Sequence, residues 1–101
     1  MIDDTEICNN NGLQVYACHM DWACYIIKTS KYSVVVCERY GEHCWDITAI
    51  CKDSKKEIFS VNSEKMPQFM NPLYGKNVRE LTSEEEVNAI IDRMSNLGVF
   101  L

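Results

Sequence analysis

The sequence predicts a single α+β domain over residues 1–101, an antiparallel meander of about four strands packed by a C-terminal amphipathic helix, with a second helix read near the N-terminus. Three observations predict it. The middle of the chain holds consecutive segments rich in β-branched and aromatic residues with short polar breaks between them. The last twenty residues combine a capping signal, a 3.6-residue apolar period and a glycine stop. Strands come before the helix without β-α-β alternation, which points to a two-layer arrangement and away from a parallel sheet. A chain of 101 residues also leaves room for one hydrophobic core and not for two.

Residues 1–12 read as a polar lead-in that ends in the turn cluster Asn9-Asn10-Asn11-Gly12, whose amides bond their own backbone and whose glycine accepts positive φ. From Leu13 the apolar residues fall at Leu13, Tyr16, Ala17, Met20, Ala23, Cys24 and Ile27, the spacing of one helix face, so a helix is expected from about Leu13 to Trp22. Val15, Tyr16, Tyr25, Ile26 and Ile27 are β formers, and the same stretch can be read as strand.

Residues 23–28, 32–40 and 43–51 form the expected meander, with two-residue turns at Thr29-Ser30 and Gly41-Glu42. That register gathers Tyr25, Val34, Val36, Trp45, Ile47, Ala49 and Cys51 on a core face. The opposite face carries Cys24, Ile26, Val35, Cys37, Arg39, Cys44, Asp46, Thr48 and Ile50, too apolar for ordinary solvated surface. The first helix could cover it, or another chain could. After the polar turn 52–56, residues 57–62 supply a fourth strand.

Residues 63–80 hold both prolines and little periodicity, so Met66 to Gly75 reads as an ordered loop packed by its own side chains. The final helix starts with Thr82 or Ser83 as N-cap and Glu85 or Glu86 completing a capping box. Its buried stripe is Val87, Ile90, Ile91, Met94 and Leu97, and Gly98 suits the left-handed stop. Glu84, Glu85 and Glu86 sit where the helix dipole favours negative charge.

The net charge of −5 divides into −4 for residues 1–27, zero for 28–51, +3 for 52–79 and −4 for 80–101. Sequence-independent nucleic-acid or anionic-membrane binding needs clustered cations, so direct nucleic-acid and membrane contact are not expected. A protein partner with a basic surface suits two acidic ends better. An acidic first hexapeptide without a following apolar run, and no apolar stretch near the roughly 20 residues of a membrane span, lead to a cytoplasmic expectation.

Six cysteines are the unusual count. No Cys-x-x-Cys or Cys-x-x-x-x-Cys pair is present to offer two ligands from one turn, so no metal or other cofactor is expected. Most of the cysteines are expected to be core or partly buried thiols that act as small hydrophobes, with Cys8 the readiest to alkylate. Cys24 and Cys37 share a face of adjacent strands, with Cys44 near them, so a bridge is geometrically open.

No catalytic residue is marked. The leading expectation is a small acidic, non-catalytic protein that binds and inhibits a macromolecular partner, in the manner of an immunity protein or of a phage-encoded inhibitor of a nuclease or defence complex such as an anti-CRISPR. Its expected contact residues are Glu84, Glu85 and Glu86, together with Met66, Phe69, Met70 and Tyr74, because flexible methionines and rigid aromatics are enriched at interface centres. The alternative is a thiol-dependent enzyme or redox sensor using Cys18, Cys37 or Cys44 with His19 or His43. A homo-oligomer pairing through an exposed strand edge is the third reading.

Overall fold

Each strand of the protein pairs with the next one in sequence. The computed structural model describes residues 4–18, 24–39 and 44–97, with the backbone alone at positions 4–8 and 18. Strands β1 (Asp4–Asn10), β2 (Leu13–Cys18), β3 (Cys24–Lys28), β4 (Tyr32–Glu38), β5 (Trp45–Cys51) and β6 (Glu57–Asn62) form one antiparallel sheet in the order β1-β2-β3-β4-β5-β6. Three short 3₁₀ segments, Ser63–Lys65, Gln68–Leu73 and Gly75–Glu80, lead into the helix α1 (Glu84–Leu97).

The meander and the C-terminal helix stand as expected, but the sheet has six strands and not about four. Both additional strands lie at the N-terminus. The lead-in 1–12 contains β1, and the helix expected from Leu13 is β2 as far as Cys18. Leu13 and Val15 are fully buried while Gln14 between them and Tyr16 after them are half-buried, which is a period of two. Asn11 and Gly12 both have positive φ, at 49° and 82°, and Asn10 pairs with Leu13 across them. That is a two-residue hairpin loop of the primed kind, whose twist matches the flanking strands. Continuation of the expected helix through residues 19–22 lies outside the described residues.

The β3–β4 turn is displaced by one residue. Thr29 N–H donates to Tyr32 O at 2.9 Å and Lys28 pairs with Ser33, so the loop residues are Ser30 and Lys31 and not Thr29 and Ser30. This moves the register by two positions, an even step, and every side chain keeps its expected face. The Gly41-Glu42 turn lies outside the described residues; on its near side Arg39 N–H donates to Cys44 O at 2.8 Å.

One sheet face carries the core. Leu13, Val15, Ile27, Val34, Val36, Ile47 and Ala49 are fully shielded there, beneath Met70 and Leu73 of the second 3₁₀ segment and Val87 and Ile91 of α1. Tyr25 donates its hydroxyl to Leu73 O, and its ring meets Trp45 at 5.9 Å between centroids. In α1, Val87, Ile91 and Met94 face inward and Ile90 is half-buried, but Leu97 is 49% exposed and leaves the expected stripe. Gly98 lies outside the described residues. No described helix is long and apolar enough to cross a membrane.

The start of α1 is fastened to two hairpin turns. Glu84 N–H donates to Asn11 O at 3.3 Å, and Asn11 Nδ2 donates to Thr82 O at 3.2 Å. The Glu86 carboxylate reaches back four residues to the Thr82 N–H at 3.1 Å and to the Thr82 hydroxyl, a contact that differs from both expected three-residue boxes, Thr82 with Glu85 and Ser83 with Glu86. Further along, Thr29 donates to Asn88 Oδ1 at 2.7 Å, and the Tyr32 hydroxyl bonds the Asp92 carboxylate. Burial pushes the Tyr25 phenol above its ordinary value, and burial together with the bond to Asp92 does the same for Tyr32, so both remain neutral donors at physiological pH.

Candidate functional site

The second and third 3₁₀ segments and α1 pack on one side of the sheet, and among the described residues none of these three lies over the other. The antiparallel register lines up that open face in cross-strand rows. The central row is Tyr16, Ile26, Val35, Thr48 and Ser60, on β2 through β6. To one side run Gln14, Lys28, Ser33 and Ile50, and to the other Cys24, Cys37, Asp46 and Asn62. Directly opposed residues on one face stand close enough for their side chains to touch, so each row is a continuous strip.

The middle of this face is apolar and its perimeter is polar. Tyr16, Ile26, Val35 and Ile50 are half-buried. Lys28 extends its ammonium over the Tyr16 ring, 5.4 Å from the centroid, so a cation and an aromatic face are held together at one margin. At the opposite margin Arg39 makes two bonds to Asp46, Nη2 to Oδ1 at 2.6 Å and Nε to Oδ2 at 3.3 Å. Beside that pair, Ser60, Val61, Asn62 and Lys65 complete a shallow recess of about 380 Å³. Thr48 and Ser60 share a hydroxyl–hydroxyl bond of 2.9 Å.

Cys24 and Cys37 sit on this same face. They are direct partners across β3 and β4, their Cα atoms are 4.1 Å apart, and they are joined as a disulfide. Both are half-buried, in keeping with the expectation of core or partly buried residues, but they are bridged and not free thiols. It holds for Cys44, which is free and buried. Cys51 is free and half-buried, and hydrogen bonding by Ser54, first through its backbone and then through its hydroxyl, lowers its thiol below the ordinary value. The Cys8 side chain, the Cys18 side chain, His19 and His43 lie outside the described residues, so the expected pairings of Cys18, Cys37 or Cys44 with a histidine do too. Among the described residues no group of three or more His, Cys, Asp or Glu side chains could hold a metal ion.

The expected contact residues are not all at the surface. Met70 has zero exposure and is part of the core. Met66, Phe69 and Tyr74 are half-buried against it; Arg93 stacks over the Phe69 ring at 4.3 Å, and the Tyr74 hydroxyl bonds the Asn71 side chain. Glu84 accepts from Ser30 N–H at 3.1 Å and from the Ser30 hydroxyl at 2.7 Å, and these bonds hold its carboxyl below the ordinary glutamate value. Glu86 is engaged with Thr82, and Glu85 is exposed. The loop and the glutamates therefore lie on the helical side of the molecule, away from the open face.

Reasoning from the sequence placed Ile26, Val35, Cys24 and Cys37 on this open face but missed Tyr16 and its Lys28 partner. The Asn11-Gly12 pair carried the missing signal, since a hairpin there makes the following residues a strand and brings Tyr16 beside Ile26. No known protein family, characterised protein or solved structure matches the chain.

Proposed function

We propose that the protein is a non-catalytic binding protein that docks a protein partner on the open face of its sheet and blocks that partner by occupying its surface. The observation that carries this reading is the strip Tyr16–Ile26–Val35, over which no described helix lies. An apolar centre framed by Lys28, Ser33, Thr48, Asp46 and Asn62 matches the anatomy of a protein interface, where a dry middle supplies burial and a polar margin supplies direction. Tyr16, fixed by Lys28, is the aromatic anchor of the strip. The net charge of −5 favours encounter with a basic partner, and exposed Glu85 contributes to that field without forming the contact.

The test is retention of a partner by immobilised full-chain protein and by two variants. Val35→Asp places a charge in the middle of the strip, and Glu85→Lys reverses a charge on the helical side. Wild type retains a stoichiometric partner, Val35→Asp loses it with an unchanged circular dichroism spectrum, and Glu85→Lys retains it with slower association. Undiminished retention by Val35→Asp overturns the reading, as does the failure of wild type to retain any partner.

A further inference from the structure

We propose that Cys24 and Cys37 form a reversible thiol–disulfide couple that small thiols reach from the open face of the sheet. Three observations carry it, and none depends on the docking reading. First, the two residues face each other across neighbouring strands with Cα atoms 4.1 Å apart, so the bond closes without moving either strand to a new register. Second, β3 and β4 are already held by the five pairs from Cys24↔Cys37 to Lys28↔Ser33, and both strands are bordered by further strands. The bridge spans a sequence separation of 13 between strands that four further register pairs already align, so the paired geometry of the folded sheet is set by the ladder as well as by the bridge. Third, both cysteines are half-buried on the side of the sheet over which no described helix lies, unlike buried Cys44. A reagent can approach the sulfur atoms along the open face.

Position 18 adds to the arrangement. Cys18 is the register partner of Cys24 on β2, so three cysteines occupy one cross-strand row, Cys18–Cys24–Cys37. The row lies two residues along the strands from Ile26 and Val35. A change at the sulfur atoms is thus a change in the surface that the apolar strip presents.

The chemistry balances with a low-molecular-weight disulfide as oxidant, for example glutathione disulfide. The thiolate of one cysteine attacks a sulfur of that disulfide, forms a mixed disulfide and expels one glutathione thiolate. The thiolate of the other cysteine then attacks the protein sulfur of the mixed disulfide and expels the second. The two protein thiols lose two electrons and two protons in total, and the oxidant leaves as two molecules of glutathione. Excess glutathione runs the same steps in reverse.

The experiment equilibrates the folded full chain in buffers of graded [GSH]²/[GSSG], quenches with acid, alkylates and maps the labels by peptide mass. Cys24 and Cys37 are expected to pass together from blocked to alkylated, with about a hundredfold change in that ratio taking them from about one-tenth to about nine-tenths reduced. Cys51 stays alkylated throughout, and circular dichroism does not change. Cys37→Ser combined with Cys18→Ser removes both thiols that share the row with Cys24 and is expected to trap glutathione on Cys24 in oxidising buffer. The proposal is overturned if the bridge survives the most reducing buffer in folded protein, if reduction unfolds the chain, or if both thiols remain alkylatable in the most oxidising buffer. It is also overturned if the double variant Cys18→Ser, Cys37→Ser gives no mixed disulfide on Cys24.

Discussion

Gly12 lies directly against the carboxylate of Glu84. A Cβ at position 12 would overlap Oε2 of that side chain and stand 2.8 Å from its Cδ, and the glycine has φ +82°. Glu84 cannot simply swing aside, because its carboxylate accepts from the backbone and the hydroxyl of Ser30. One glycine therefore lets the β1–β2 turn, the β3–β4 turn and the start of α1 meet at a point. Gly12→Ala is expected to cost about 2–3 kcal/mol, roughly 1 kcal/mol for the left-handed backbone and the rest for displaced Glu84. A fall in the urea midpoint with an unchanged slope would show it, and a variant as stable as wild type would contradict the contact.

The same carboxylate sets a pH dependence. Hydrogen bonds from Ser30 depress the folded-state value of Glu84 below its ordinary 4.5. The charged form thus binds fewer protons in the folded chain than in the unfolded one, and its contribution is complete above 4.5 and is lost as pH falls through the depressed value. Glu84→Gln is expected to flatten the decline of the denaturation midpoint below about pH 4.5 and to lower stability at neutral pH. Parallel midpoint–pH curves for the two proteins would exclude Glu84 as a source of that decline.

Some elements were legible because a local signal and the tertiary environment agree. Glu57–Asn62 is a strand at its expected bounds, since a polar turn precedes it and Phe59 and Val61 alternate with Ser60. The faces of β3, β4 and β5 survived an error in the β3–β4 turn, because a two-residue register shift leaves alternation intact. Leu13–Cys18 went the other way. Its apolar residues fit both a helix and a strand, and what decides between them is the pairing with Asp4–Asn10 and Cys24–Lys28, which no local window contains. Met70 was ambiguous for a related reason. Met70 and Tyr74 have the composition of an interface, but the prolines and 3₁₀ turns around them press Met70 into the core as a gap filler.

That difference between Met70 and its neighbours is measurable. Met70 is fully buried beside Leu73, so Met70→Ala leaves a cavity in the core and is expected to cost about 2–5 kcal/mol. Met66 is only half-buried, and Met66→Ala is expected to cost about 1 kcal/mol or less. Chemical denaturation of both variants checks the ranking. Equal and small losses would place Met70 at the surface, where the composition alone would put it.

Val35 and Val36 give the most direct test of which face of the sheet is open. They are consecutive in β4, so they point to opposite sides, and Val36 has zero exposure while Val35 is half-buried opposite Thr48. Threonine keeps the β-branched shape of valine and exchanges a methyl for a hydroxyl, which isolates the cost of polarity from that of volume. Val36→Thr puts the hydroxyl into the core and is expected to cost about 1–3 kcal/mol. Val35→Thr places it beside the Thr48 hydroxyl at the surface, where a threonine pair is tolerated, and the expected change is within about 0.5 kcal/mol. Equal losses at the two positions would mean that both faces are buried in the isolated protein. The open strip would then be covered by the chain itself, and the surface assigned to a partner would already be occupied.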